Sequence, residues 1–212
     1  METFGEQNIQ NEKPDIPKAS QEMCAYCFDV LICAFDGTEP SDPRFPTDFE
    51  CPFFVTWNKT ERGGQRRLRG CIGTLSPRPV ADLKDYTHSS AFRDRRFEPV
   101  GRAELGALQV AVSLLVRYEP AADWRDWEVG VHGILINFYS SRNEHYSATY
   151  LPEVAPEQGW GHLEAVSSLV RKAGYRGRVD DALLDSLEVT RYQSSKAKLD
   201  YAEYCNLRGI SC

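Results

Sequence analysis

Cys71 stands between Gly70 and Gly73, directly behind Arg66-Arg67-Leu68-Arg69, and this stretch brings a nucleophile, cations and permissive backbone together. A thiol close to guanidinium groups loses its proton more readily, and the thiolate is the nucleophilic and redox-active form. Glycine reaches backbone conformations closed to other residues, so the chain beside Cys71 would lie open to a ligand. A nucleophile needs a base. His132, in Gly130-Val131-His132-Gly133, has the same permissive flanks, and Glu128 lies four residues earlier as an orienting carboxylate. Cys71, His132 and Glu128 therefore form the candidate catalytic set. Arg69, next to the Gly-Cys pair, has the bidentate chemistry to anchor a carboxylate or phosphate. With Gly70, Gly73 and Gln158, from Glu157-Gln158-Gly159-Trp160, it forms the candidate ligand-binding set.

Each assignment has a structural alternative. Cys71 would equally serve as a small buried hydrophobe in a strand whose glycines allow tight packing. His132 would be a turn histidine satisfied by backbone groups, and the arginines a solvated strand face. Trp160 reads as a hydrophobic staple, while Gln158 stays undecided between recognition and local structure. Of the other histidines, His145 reads as a solvated turn residue, His162 caps or packs a helix start, and His88 has no evident partner. Cys24-x-x-Cys27 falls on one face of a helical pattern, and no second Cys-x-x-Cys or spaced histidine pair completes a metal site. Gly70-x-x-Gly73 lacks the further glycines of a phosphate or dinucleotide loop. No metal and no cofactor are expected.

The elements that must position these residues follow from periodicity and turn chemistry. Ser20 caps a helix through Phe35, closed by Gly37. Phe53 to Trp57 and Arg66 to Leu75 form a hairpin around the turn at 58–64, with Cys71 on its second arm. Ser76-Pro77-Arg78-Pro79 ends that strand and starts a helix to about Phe92. Its N-terminus would lie near Cys71 and favour a thiolate or a bound anion. Arg93 to Arg102 is a basic loop, and Leu108 to Leu115 a strand. Ile134 to Phe138 and His145 to Leu151 make a second hairpin. Helices are expected at about 160–173 and 180–186, a last strand over Leu187 to Gln193, and a closing helix over Tyr201 to Leu207. Hairpins interspersed with helices, without regular βαβ alternation, predict an α+β domain with mainly antiparallel sheet and flanking helices.

Composition bounds the function. The 212 residues are 42% hydrophobic and 26% charged, enough for one sizeable core. Residues 1–19 are polar and predict a disordered tail, leaving 20–208 as a single domain. Twenty-five Lys and Arg against 31 Asp and Glu leave a net charge of -6, which disfavours broad binding to nucleic acid or an anionic membrane. Ala107 to Val116, the most apolar run, is too short and polar to span a bilayer. An odd cysteine count of 7, behind a polar start, fits a reducing cytoplasmic or nuclear compartment.

Leu68-Arg69-Gly70-Cys71-Ile72-Gly73 resembles the signature of the AMMECR family, named for a human chromosomal region linked to Alport syndrome, midface hypoplasia and elliptocytosis. The likeness continues through Trp127 to Ile134, Thr149 to Val154, Glu157 to Trp160, Arg171 to Tyr175, Leu187 to Tyr192 and Tyr201 to Tyr204. It implies an α+β fold of two intimately associated subdomains in an intracellular protein of unsettled biochemical activity. Microbial relatives resemble companions of a Memo-type protein and a radical-SAM enzyme, which implies a modification pathway. Two functions are expected. The favoured one is an interaction or regulatory protein with a ligand- or peptide-binding groove lined by Leu68 to Gly73, its partner another protein or a small anionic ligand. The other is a small enzyme using Cys71 as nucleophile or redox thiol with His132 as base.

Overall fold

A computed structural model of the chain describes residues 16–140 and 142–211. The expected tail lies mostly outside them; within them, the Ala19 N–H donates to Ser195 Oγ at 3.0 Å and so ties the start of the domain to a strand. Helix α1, Gln21–Asp36, is bounded as its sequence predicts. Ser20 Oγ accepts from the Met23 N–H at 3.3 Å, and Gly37, at φ 66°, closes the other end. Strands β1, Glu50–Thr60, and β2, Arg66–Pro79, form the first hairpin, turned by Gly63 and Gly64 at positive φ.

β2 is longer than its sequence suggests, because it is an edge strand. Pro77 and Pro79 need no ladder N–H on the open side, so the strand runs through Arg78, opposite Cys51, to Pro79, opposite Glu50. After a short 3-10 turn, α2, Leu83–Phe92, returns along the hairpin. There follow β3, Leu108–Pro120; β4, Gly133–Tyr139; β5, His145–Tyr150; α3, Val154–Gln158; α4, His162–Lys172; α5, Asp181–Asp185; β6, Glu188–Asp200; and α6, Tyr201–Arg208. β6 extends well past the expected end at Gln193.

The six strands make one sheet in the order β2-β1-β3-β6-β4-β5, with every pairing antiparallel. Two cores lie against it. Phe53, Val55, Trp57, Val110, Val112, Leu114 and Leu199 meet α1, α2 and α6 in the first. Ile134, Ile136, Phe138 and Val189 meet α4 and the paired Trp124 and Trp127 in the second. These cores are the two associated subdomains of the expected α+β fold, joined by a continuous sheet.

Strand periodicity assigns the other face. On β6, Val189, Ala197 and Leu199 turn to the cores, so Tyr192, Ser194, Lys196, Lys198 and Asp200 turn away from them. By register, Phe54, Thr56, Ala111, Ser113, Leu115, Cys71 and Gly73 share that opposite face, and none of them belongs to either core. Each of the helices α1 to α6 buries residues in one core or the other. The opposite face thus carries no helix among the described residues. It is concave: Arg66, on edge strand β2, reaches Asp200 on β6 at 2.7 Å although β1 and β3 lie between them. This curl buries Ala111 and Ser113 without a covering helix.

Candidate functional site on the concave sheet face

The backbone around Cys71 is held by the protein's own groups. Neither Gly70 nor Gly73 has a positive φ. A Cβ on Gly70 would sit 2.1 Å from the Ser90 carbonyl oxygen, and one on Gly73 would sit 2.3 Å from the Phe54 ring. Both glycines therefore permit close packing, and the space beside each is filled by protein instead of open to a ligand. Trp57 Nε1 donates to Ser90 Oγ at 3.1 Å, clamping α2 onto the sheet at this level. Ser90 and Ala91 are at the C-terminal end of α2, so the end of the helix nearest Gly70 carries partial negative charge. The expected N-terminal stabilisation of a thiolate is reversed because β2 continues to Pro79 and α2 folds back along it.

The open edge of β2 is covered by a two-residue clamp. Asp94 Oδ2 accepts the Cys71 N–H at 2.9 Å, and Arg96 Nη2 donates to the Cys71 carbonyl at 3.1 Å. Arg96 also grips Asp94 through Nε and Nη2 at 2.9 and 2.6 Å. The Arg96 hydrogen bonds hold the buried Asp94 carboxyl far below its ordinary range, against the cost of burial. The pair supplies the hydrogen bonds a neighbouring strand would otherwise make.

Arg69 is engaged in the same way. Its guanidinium donates to Glu104 at 3.0 and 2.9 Å and to the carbonyls of Glu98 and Pro99 at 2.7 and 3.1 Å. Four of its five N–H donors are therefore satisfied internally. It fixes the 93–101 loop to the sheet and is not a free anion anchor.

The Cys71 side chain does reach the concave face, where Sγ lies 3.2 Å from Thr56 Oγ1. Burial pushes the thiol above its ordinary value; the Thr56 hydrogen bond, Arg96 and Lys196 oppose this without overcoming it, and Asp94 adds to it. The thiol is protonated at neutral pH. His132 lies on the approach to β4, with β1, β3 and β6 between that strand and β2, a separation of roughly 19 Å at the usual strand spacing. Along β6, Gly133 is level with Tyr192, whereas the row containing Cys71 meets Lys198. His132 Nδ1 accepts the Glu128 backbone N–H at 3.0 Å, and the His132 N–H donates to the Glu128 carbonyl at 2.9 Å. Glu128 thus closes a turn through its backbone, and the thiol, base and carboxylate are not assembled. Gln158 is exposed at the last position of α3. His162 packs on Trp127 and bonds its carbonyl at 2.8 Å.

The groups that do meet Cys71 lie outside the sequence-derived site. Thr56 is legible from strand alternation. Lys196 is hidden because β6 is expected to end before it; its ammonium pairs with Glu153, just ahead of α3, at 2.6 Å. Ser113 faces Lys196 across the β3–β6 ladder. Among the described residues no group of three or more His, Cys, Asp or Glu is arranged to hold a metal, and no helix is long and apolar enough to cross a membrane.

Comparison with known proteins places this architecture. An uncharacterised Arabidopsis thaliana protein is 49% identical over 188 residues, covering 88% of this chain and 87% of its own. An uncharacterised Schizosaccharomyces pombe protein is 38% identical, covering 87% of this chain and 94% of its own. The crystal structure of an uncharacterised Pyrococcus horikoshii protein superposes with a TM-score of 0.66 at 26% identity, covering 84% of this chain and 89% of its own. The AMMECR1 family profile matches residues 6–197, which take in β1 to β5 and most of β6, so the chain that builds this concave face belongs to the AMMECR1 family.

Proposed function

We propose that this protein is a binding or regulatory protein instead of a catalyst, and that its ligand or peptide lies on the concave sheet face, with Leu68 to Gly73 as one wall. The observation that carries this reading is the state of Cys71. Its thiol is held protonated beside the Thr56 hydroxyl, and its partners are groups that bind rather than deprotonate. Leu68, 41% exposed, and the ring of Phe54 supply apolar contact on the same wall, while Thr56, Ser113, Ser194 and two lysines supply polar contact. A few polar groups among apolar ones are the usual make-up of a recognition site.

Disulfide capture tests the reading. The full chain is equilibrated with a panel of disulfide-bearing fragments in a thiol buffer. The Cys71 thiolate attacks the fragment disulfide, forms a mixed disulfide and releases the cap as a thiolate, which takes up the proton Cys71 lost. Peptide mapping by mass spectrometry then reports each cysteine. A binding face captures a small subset of fragments at Cys71 well above the panel average, whereas Cys33, half-exposed on α1, captures the panel evenly. Equal, unselective capture at both sites, or none at Cys71 in the folded protein, would sink the proposal.

A further inference from the structure

Resting on that reading of the face, we infer that the ligand carries a carboxylate, received by the Lys196 ammonium with Ser113 and Thr56 beside it. Glu153 holds Lys196 until the ligand arrives. Two rows of residues cross the concave face. Lys196, Ser113, Phe54 and Gly73 form one, and Lys198, Ala111, Thr56 and Cys71 form the next. The β3 position of each row is small, Ser113 in one and Ala111 in the next, so the lysines of β6 and the β1–β2 wall stand on either side of a shallow floor. Cys71 and Lys196 sense one another electrostatically across it.

Ser113 adds a donor to this floor. The residue is 3% exposed and its hydroxyl makes no hydrogen bond among the described residues, where the fully buried unpartnered side-chain atom is Trp124 Nε1; the Ser113 hydroxyl therefore keeps contact with the open face, in the row of Lys196. The nearby Arg96 is already committed to Asp94 and the Cys71 carbonyl. Of the two lysines of β6 on this face, Lys196 and Lys198, Lys196 is the one a carboxylate already engages and that can change partners. What it now holds, at 2.6 Å, is a carboxylate from the chain itself. Glu153 sits at the start of α3, within the 150–154 crossing between β5 and that helix. An incoming carboxylate would take the Lys196 ammonium from Glu153 and gain the Ser113 hydroxyl, which Glu153 does not engage.

The test uses an isosteric pair in the capture format: disulfides of 3-mercaptopropionate and of 3-mercaptopropionamide. Cys71 and Lys196 are three strand spacings apart and offset by one row, about 16 Å between backbones, which an extended lysine and a two-carbon acid on Cys71 bridge between them. Wild-type protein should capture the acid over the amide by about threefold, the range of a partly exposed ion pair. Glu153→Gln, which removes the competitor, should raise the preference to about fivefold or more. Lys196→Met should abolish it, and Lys196→Arg should keep it. Ser113→Ala should reduce the preference. Competition by free propionate assigns the carboxylate to small acids, and competition by an acetylated tripeptide acid alone assigns it to a chain terminus. Equal capture of acid and amide by wild-type and Glu153→Gln protein would overturn the carboxylate inference while leaving the binding face standing. Failure to capture either one at Cys71 would overturn both.

Discussion

Replacing Glu104 by glutamine should loosen the loop that frames Cys71, by an amount that depends on pH in a defined direction. Glu104 accepts from Arg69 at 3.0 and 2.9 Å, from Lys59 at 2.8 Å and from the Gly101 N–H at 2.9 Å. Its side chain is 18% exposed, so these contacts are poorly screened. Burial opposes the charge, but Arg69, the Gly101 N–H and Lys59 outweigh it and lower the pKa from 4.5 to about 2. Between those values the unfolded chain binds a proton that the native state does not. The contribution of Glu104 is therefore complete above about pH 4.5 and disappears as pH falls toward 2. That interval corresponds to roughly 3 kcal/mol. Urea unfolding followed by tryptophan fluorescence should show Glu104→Gln less stable than wild type by about 2 to 3 kcal/mol at pH 7, with the gap closing below pH 4.5. Arg69→Met combined with Glu104→Gln should cost much less than the sum of the two single substitutions. A gap below about 1 kcal/mol at pH 7, or one that stays constant down to about pH 3, would refute the reasoning, because a surface ion pair would give the first and lost packing the second.

Gly70→Ala should destabilise the fold by about 2 kcal/mol or more, since the new methyl group meets a backbone carbonyl that cannot turn aside; thermal unfolding measures it, and a neutral result would contradict the α2 packing. Alkylation of Cys71 in the folded protein should be slow at about pH 7 and still rising past about pH 9, and His132→Ala should leave that profile unchanged. A plateau near neutral pH, or slowing by the substitution, would restore the thiol and histidine as a unit. Asp94→Ala should expose the Cys71 N–H, quickening its hydrogen exchange by about tenfold or more, whereas amides of β3 in the sheet interior should be little affected.

Local chemistry is legible in the sequence wherever it is also local in space. Ser20 and Gly37 bound α1 because a cap needs only neighbours a few residues away. The two hairpins follow from alternation and turn residues. What escapes a sequence reading depends on position in the sheet. Pro77 and Pro79 look like strand terminators until β2 is known to be an edge. Ser194 to Lys198 look too polar for a strand until one face is known to lack a helix. The polarity of α2 at Cys71 misleads for a related reason: sequence proximity to Ser76 suggests the helix start, whereas the antiparallel return brings its end.

The same dependence limits what the Leu68 to Gly73 signature means. Arg69 ties down the 93–101 loop, Gly70 admits the Ser90 carbonyl, Gly73 lies under Phe54, and the Cys71 backbone is clamped by Asp94 and Arg96. Most of its positions thus have demonstrable structural work. Such constraints also fix the direction of the Cys71 side chain, because an edge strand gripped on both backbone groups of one residue cannot slip in register or twist away. The result is a thiol held at a defined point over a floor of Thr56, Ala111 and Ser113. Rigid placement serves recognition as well as catalysis, since a preorganised face loses less entropy when a ligand docks. With the thiol protonated and the histidine on the approach to another strand, the proposed recognition rests on the charge that Lys196 and Glu153 share beside that floor.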